Sequence, residues 1–180
     1  MSHPSTDSHS SDYDLVVAGG GAAGFFGAIT FAEASPGSRV LILEKSSQVL
    51  GKVKISGGGR CNVTHACFDP KALTKFYPRG SKQLIGPFHH WSPTDTMDWF
   101  ENRGVPLKIE EDGRVFPQSD SSQSIIDCLM GAAKKAGIII RTHTALEAAE
   151  AAAAAPAEEE AAPVEEVAAE EAAPEATDAE

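Results

Sequence analysis

The sequence predicts an α/β fold built on a parallel sheet, and three features between residues 14 and 44 support this prediction. A short apolar strand at residues 14–18 leads directly into a G-x-G-x-x-G motif. A helical stretch begins at about Ala22. A second apolar strand, Val40 to Leu43, ends at Glu44, twenty residues beyond Gly24. Together these features are typical of a Rossmann-like βαβ unit that binds a dinucleotide.

Each glycine of the motif has its own predicted role. Gly19 makes the tight turn after the strand, Gly21 lets the backbone approach a pyrophosphate, and Gly24 allows close contact between helix and strand. The helix would then direct the free N–H groups of its first residues, Ala22 and Ala23, toward the anion. The alternative is an ordinary glycine-rich strand–helix turn, but it does not explain an acid at the end of the second strand.

Glu44 is the predicted ribose ligand. An acid at this spacing accepts hydrogen bonds from the ribose hydroxyls of an adenine dinucleotide. Lys45 follows it and is included in the predicted cofactor site.

A second glycine cluster lies between Gly51 and Asn62, within a stretch at 46–66 that we predict to be a loop. Three successive glycines reach positive φ easily and present backbone N–H groups to an anion or a flat ring. Arg60 adds a positive charge, and Asn62 adds a donor and an acceptor. A flexible hinge is the alternative.

The remaining pattern predicts three helices, a hairpin and a further strand. The helices lie at 69–76, 92–104 and 122–136, and the hairpin at 107–116 turns through Asp-Gly. The strand at 138–142 is expected to join the parallel sheet. The last helix is expected to bury four apolar side chains: Ile125, Ile126, Leu129 and Met130.

The charge of the chain is concentrated at its end. Of 26 acidic residues, twelve lie at 147–180, which leaves 14 acids against 15 Lys and Arg in residues 1–146. We therefore expect a disordered lead at 1–12, a dinucleotide-binding domain at 13–146 and an acidic Ala/Glu low-complexity tail at 147–180. Three irregularly spaced cysteines and the lack of a signal peptide or a long apolar run predict a cytoplasmic protein with no membrane partner.

The two glycine clusters together resemble the N-terminal part of the HI0933/YhiN-like (BaiN-type) flavoproteins. The resemblance rests on D-L-V-V-A-G-G-G-A-A-G at 14–24 and K-V-K-I-S-G-G-G-R-C-N at 52–62, and it extends over roughly residues 13–146. It implies FAD as cofactor, NAD(P)H as electron donor and a small organic acceptor as substrate. It also implies that six residues border the ribityl chain and flavin ring: Lys52, Gly58, Gly59, Arg60, Cys61 and Asn62. A cation there, Arg60 or Lys52, would stabilise the anionic reduced flavin.

One departure from the family concerns length. Family members are much longer and return after a second domain to complete the FAD-binding domain. We therefore expect an incomplete sheet whose apolar faces are partly exposed. The competing hypothesis is a non-catalytic remnant, or an interaction module with an acidic tail, that holds no flavin.

Three further groups of residues were weighed as possible sites: Cys61 with His65 and Cys67, His89 to Trp91, and Trp99 with Phe100. Cys61, His65 and Cys67 lack the paired spacing of a zinc site, so no metal is expected. The His89-His90-Trp91 run could line a substrate pocket, but we expect it at the surface, and we expect Trp99 and Phe100 in the core. The sequence contains no basic stripe with interleaved aromatic residues, so we expect no nucleic-acid partner. The sequence gives no oligomeric state.

Overall fold

The computed structural model describes residues 13–146 of the 180-residue chain. The predictions of a disordered lead and an acidic tail concern residues outside this range. The described elements, in chain order, are β1 (Leu15–Ala18), α1 (Ala22–Ala34), β2 (Val40–Leu43), α2 (Gly51–Gly59), β3 (Thr64–His65), α3 (Pro70–Leu73), a 3₁₀ turn (Thr74–Phe76), α4 (Ser81–His90), α5 (Pro93–Glu101), β4 (Leu107–Ile109), β5 (Arg114–Pro117), α6 (Ser122–Lys135) and β6 (Ile139–Arg141).

The predicted parallel sheet is confirmed. Its strand order is β1-β2-β6, with β2 in the centre and both pairings parallel. The predicted βαβ unit is confirmed as well, because α1 connects β1 to β2 as a crossover helix. Strand β6 joins the opposite side of β2 after the long excursion through the rest of the domain.

The two faces of this sheet have different surroundings. On one face Val17, Ile42 and Ile140 lie side by side and belong to the core. On the other face Val16 and Ile139 flank Leu41 and remain 45% and 42% exposed. Parallel sheets are normally covered on both faces. The expected exposure of apolar side chains is thus confirmed on one face of the sheet within the described residues; that the sheet is incomplete stays a prediction.

The core lies between the sheet and helices α1, α2, α5 and α6. Phe25 and Ile29 of α1 are fully buried, and Ile125 and Leu129 of α6 face them from the same cluster. The prediction that Met130 is buried was wrong, because its side chain is 37% exposed. A helix of this length buries only one stripe, and Ile125 with Leu129 already form it.

A second, antiparallel sheet has the order β3-β5-β4. It contains the predicted hairpin, in which Gly113 adopts φ +82° and its N–H donates to the Glu110 carbonyl oxygen over 2.8 Å. This sheet lies beside the second glycine cluster, since the Val63 N–H donates to the Val115 carbonyl oxygen over 2.8 Å.

Two predicted helix starts are confirmed by their caps. The Asp69 carboxylate accepts from the Ala72 N–H over 2.7 Å at the start of α3. At the start of α5, Ser92 and Asp95 form a reciprocal capping box, and Gly104 with φ +81° follows the end of the helix. These local signals act within one turn, so they could be recognised in the sequence.

Two regions differ from the prediction. The stretch 46–66 was expected to be a loop, yet it contains α2 and the short strand β3. The first turn of α2 is helical, and the chain then kinks at Ser56 and Gly57. Helix α4 was also missed, because it follows Gly80 in the left-handed region and carries Pro87 in its interior. Neither residue is typical of a helix.

Candidate functional site: two glycine loops and a cavity

The first glycine loop, residues 19–24, is held against both strands of the βαβ unit. Gly19 has φ +102°, and its N–H donates to the Leu43 carbonyl oxygen over 2.7 Å. A Cβ atom on Gly24 would overlap the Gly19 carbonyl oxygen and press on Val17. Glycine at 19 and 24 therefore serves the turn and the helix–strand contact, as the motif predicts.

Gly21 occupies a different environment in the same loop. A Cβ atom built there would meet nothing within 4 Å, so packing within the described residues does not require a glycine. Gly21, Ala22 and Ala23 are all exposed. The first N–H groups of a helix have no acceptor within the helix, and among residues 13–146 no side chain caps α1 and no acid lies in its first turn. This arrangement leaves open N–H groups for an anion.

Glu44 closes the first loop from the end of β2. Its carboxylate accepts from the Gly20 N–H over 2.8 Å and from both the N–H and the hydroxyl of Ser46 over 2.8 Å. The hydrogen bonds from Ser46, followed by that from Gly20, lower the pKa of Glu44 to about 2. An ionised carboxylate offers about four lone-pair positions, so acceptor capacity remains for a hydroxyl group. Lys45, the next residue, is exposed.

A cavity of about 520 Å³ opens beside the start of α1. It brings together five of the sequence-predicted site residues, namely Ala22, Ala23, Lys52, Cys61 and Asn62. The rest of its wall was not predicted as a site, and it consists mainly of apolar and aromatic side chains: Phe26, Val53, Ser56, Val63, Trp91, Thr96, Trp99, Phe100, Ile125 and Leu129. Such a lining favours a flat, largely apolar ring.

Trp91 and Trp99 both line the cavity, although the sequence predicted Trp91 at the surface and Trp99 in the core. Trp99 is buried, as predicted for a core residue, but one side of it also lines the cavity. Trp91 is 39% exposed, stacks edge-on against Phe26 at 5.0 Å and donates from Nε1 to the Thr96 hydroxyl over 2.8 Å. His89 and His90 are exposed, as expected. Helix α4 ends at His90 and places Trp91 at the cavity; no pattern in the sequence predicted this helix.

The second glycine loop, residues 57–62, uses positive φ at consecutive positions. Gly57, Gly58 and Gly59 have φ of +55°, +68° and +86°, and Cys61 follows with φ +63°. A Cβ atom on Gly57 would lie 2.8 Å from the Asn62 nitrogen and 2.9 Å from the Phe116 ring, whereas positions 58 and 59 are open. The loop is therefore tightly built at Gly57 and accessible at the next two glycines.

Arg60 points into an ion-pair network instead of the cavity. Its guanidinium pairs with Glu110 over 2.5 Å and with Asp120 over 3.5 Å, and it stacks on the Phe116 ring at 3.9 Å. The hydrogen bond to Glu110 raises the pKa of Arg60. Lys52, by contrast, lines the cavity and forms no ion pair within the described part of the chain.

Cys61 is a buried part of the cavity wall. Burial raises the pKa of its thiol, so at neutral pH it is a neutral thiol and a poor nucleophile. The imidazole ring of His65 stacks on the Phe76 ring, with 4.2 Å between the ring centroids. Within residues 13–146 no group of three or more His, Cys, Asp or Glu side chains is arranged to hold a metal ion.

The strand–glycine loop–helix unit, the acid at the end of β2 and the parallel sheet define a Rossmann-type dinucleotide-binding domain. The profile of the HI0933-like protein Rossmann domain matches residues 13–171. The chain belongs to this family. The resemblance derived from the two glycine clusters is thereby confirmed.

Two curated proteins with enzymatic names are similar in sequence to this chain. The ribosomal RNA dihydrouridine synthase of Escherichia coli (strain K12) is 31% identical over 72% of this chain, and the 3-dehydro-bile acid delta(4,6)-reductase of Clostridium scindens is 27% identical over 73%. In both comparisons the match covers 31% of the relative's length.

Among solved structures, the 3-ketosteroid-delta4-(5alpha)-dehydrogenase of Rhodococcus jostii RHA1 shares the fold. Its TM-score is 0.51 at 19% identity, with 78% of this chain and 40% of that chain covered. Fold and family together support the prediction of an FAD-binding oxidoreductase domain. Among the helices of residues 13–146, none combines the length and the apolar character needed to cross a membrane.

Proposed function

We propose that this chain binds FAD and forms the cofactor-binding part of an oxidoreductase that reduces an unsaturated organic acceptor with electrons from NAD(P)H. The observation that carries the proposal is the open start of α1 at Gly21, beside a largely apolar cavity. Gly21, Ala22 and Ala23 would hold the pyrophosphate through backbone N–H groups.

Glu44 would hold the adenosine ribose. Its carboxylate is ionised above about pH 2, so it can accept from ribose hydroxyls while it still holds the Gly20 N–H. The same charge repels a 2′-phosphate, which disfavours NADP at this first site. Gly58 and Gly59 are accessible, and we propose that they border the ribityl chain.

Bound flavin would supply hydride transfer to the acceptor. The names of both relatives support an acceptor with a ring double bond, because one describes the synthesis of dihydrouridine and the other a delta(4,6) reduction. The cavity wall would orient the ring and exclude water from it. No residue of this chain is assigned a catalytic role.

Of the two cations considered for the flavin ring, Lys52 is better placed than Arg60. The positive charge of Arg60 is balanced by Glu110 and Asp120, whereas Lys52 lies at the cavity without a carboxylate partner among the described residues. A cation next to the ring favours reduced, anionic flavin. Lys52→Met should therefore lower the flavin reduction potential, and Arg60→Met should leave it nearly unchanged.

The binding test uses the purified full chain titrated with FAD and followed by flavin fluorescence and absorbance. Gly21→Ala should weaken binding by at least about tenfold without loss of folding, because the added methyl group meets only the incoming pyrophosphate. Gly27→Ala on the same helix is the matched control, since its Cβ would also meet nothing within 4 Å. Equal affinity of both variants would exclude this pyrophosphate site.

The second candidate is a chain that keeps the loops but holds no flavin. Colourless protein that remains colourless after addition of FAD would support this candidate and refute the first. For location we propose the cytoplasm, supported by three cysteines that are all free thiols.

A further inference from the structure

The second glycine loop leaves helix α2 through a kink. Ser56 has an extended backbone with ψ 151°, and Gly57 and Gly58 follow with φ +55° and +68°. In a regular helix the Gly58 N–H would donate to the Lys54 carbonyl oxygen, but here Gly58 lies beyond the kink. Because glycine adopts many backbone conformations at little cost, contacts from outside the loop are needed to keep it in one of them.

Ser122 makes such a contact on the side of the kink that precedes the loop. It is the first residue of α6 and is only 5% exposed. Its hydroxyl donates to the Lys54 carbonyl oxygen over 2.8 Å. A buried hydroxyl or carbonyl group without a hydrogen-bond partner is costly, so this hydrogen bond holds the helical part of α2 against α6.

Asp120 makes a second contact on the other side of the kink. One carboxylate oxygen lies 3.5 Å from the Arg60 guanidinium, and the other lies 2.5 Å from the Lys108 ammonium group. Since Lys108 belongs to β4, the carboxylate connects the loop to the antiparallel sheet. Asp120 itself has φ +53°, a conformation that Asp and Asn adopt more readily than most other residues.

We propose that the β5–α6 connection, residues 118–122, positions the second glycine loop for its cofactor. The connection contacts the chain on both sides of the kink, at Lys54 and at Arg60. It therefore favours one conformation of the loop before any ligand binds. A loop that is ordered in advance loses less conformational entropy on binding, and the affinity rises accordingly. That the cofactor is FAD rests on the proposed function; the ordering of the loop does not.

Ser122 and Asp120 act in this proposal as positioning residues. Neither lines the cavity, so they would influence the cofactor only through the loop. In the conformation that they hold, a Cβ atom on Gly58 or Gly59 would meet nothing within 4 Å. The backbone of these two glycines is thus kept accessible to a ligand.

The experiment measures amide hydrogen exchange of residues 57–59 in the purified full chain before FAD is added, and then titrates the same protein with FAD. Ser122→Ala should speed this exchange and weaken FAD binding, each by about fivefold, because one buried hydrogen bond is lost. Asp120→Asn keeps a residue that tolerates positive φ and removes only the charge. Its effects should be about twofold, since the carboxylate is 46% exposed.

Two matched variants serve as controls. Thr74 is the other buried polar residue of residues 13–146, also 5% exposed, and its hydroxyl donates to the Lys71 carbonyl oxygen over 2.9 Å. Thr74→Val therefore removes a comparable hydrogen bond far along the chain from the loop. Asp112→Asn removes a carboxylate that pairs with Arg114 over 2.7 Å. Both controls should leave the exchange of residues 57–59 and the affinity for FAD unchanged.

Equal exchange of residues 57–59 in Ser122→Ala and Thr74→Val would overturn the proposal, because the loop would then be ordered without the connection. Faster exchange with unchanged FAD affinity would overturn it as well. If Ser122→Ala did not fold, as judged by circular dichroism, the comparison of Asp120→Asn with Asp112→Asn would decide. An unmodified chain that binds no FAD would refute the proposed function, and the exchange measurement would still decide whether residues 118–122 position the loop.

Discussion

The two glycine loops look alike in sequence, yet Gly24 of the first loop and Gly58 and Gly59 of the second are glycines for different physical reasons. In the first loop Gly24 is required because another atom lies where its Cβ would be, and its φ is unremarkable. In the second loop Gly58 and Gly59 are required because their φ is positive, and the space around them is open. Close packing thus fixes Gly24 of the first loop, whereas backbone conformation fixes Gly58 and Gly59 of the second.

A second difference concerns charge. The first loop offers N–H groups and the carboxylate of Glu44, and the described residues place no cation in it. The second loop contains Arg60, but Glu110 and Asp120 already balance its charge. The comparison teaches that a basic residue in a glycine-rich motif is not necessarily available to a ligand.

Among the glycine substitutions, Gly24→Ala should lower the stability of the protein most. The methyl group would overlap backbone atoms that cannot move independently, so the free energy of unfolding should fall by about 3 kcal/mol. Urea denaturation monitored by tryptophan fluorescence measures it. The control is Gly27→Ala, which should be neutral or stabilising by about 0.5–1 kcal/mol. Two variants of equal stability would show that the helix does not need to approach β1 so closely.

Gly57→Ala should cause the second-largest loss of stability. Here a positive φ is combined with contacts to the Asn62 nitrogen and the Phe116 ring, and the ring can shift, so we expect a loss of about 2 kcal/mol. Gly58→Ala has only the conformational cost and should lose about 1 kcal/mol. If Gly58→Ala proved the more damaging of the two by urea denaturation, conformation rather than space would govern this loop throughout.

Arg60→Met should have a smaller effect on stability. Its pairing with Glu110 is partly exposed to solvent, with side-chain exposures of 31% and 27%, and is therefore discounted for screening. Together with the lost stacking on Phe116 we expect a loss of stability smaller than that of Gly58→Ala. A double-mutant cycle with Glu110→Gln isolates the pair. A coupling energy near zero would mean that Arg60 is free to serve a ligand after all.

Substitution of Glu44 should have the smallest effect, and this effect should be seen in how the free energy of unfolding depends on pH. Its folded pKa of about 2 lies below the ordinary 4.5, so its contribution is complete above about pH 4.5 and is lost as pH falls toward 2. Glu44→Gln should flatten the curve of unfolding free energy against pH in that window. Identical curves for both proteins would show that the hydrogen bonds from Gly20 and Ser46 do not favour the ionised carboxylate.

Local signals in the sequence were sufficient for much of the fold. The strand–glycine–helix transition at Gly19, the caps at Asp69 and Ser92 and the Asp-Gly turn at Gly113 each depend on residues within a few positions of one another. They were predicted correctly for that reason. Helix α4 and the first turn of α2 were missed, because Gly80 and Pro87 in and beside α4 and the glycines at the end of α2 are not typical of a helix.

Some features of the candidate site could likewise be predicted from the sequence, and others are seen only in the tertiary structure. The sequence determined the glycine-rich backbone, the acid at position 44 and the family to which the chain belongs, because these depend on residue type and fixed spacing. Only the tertiary structure decided that Trp91 and Trp99 line a cavity at the first glycine loop and that Arg60 turns to Glu110 and Asp120. Those facts depend on contacts between residues distant along the chain, and no local pattern encodes such contacts.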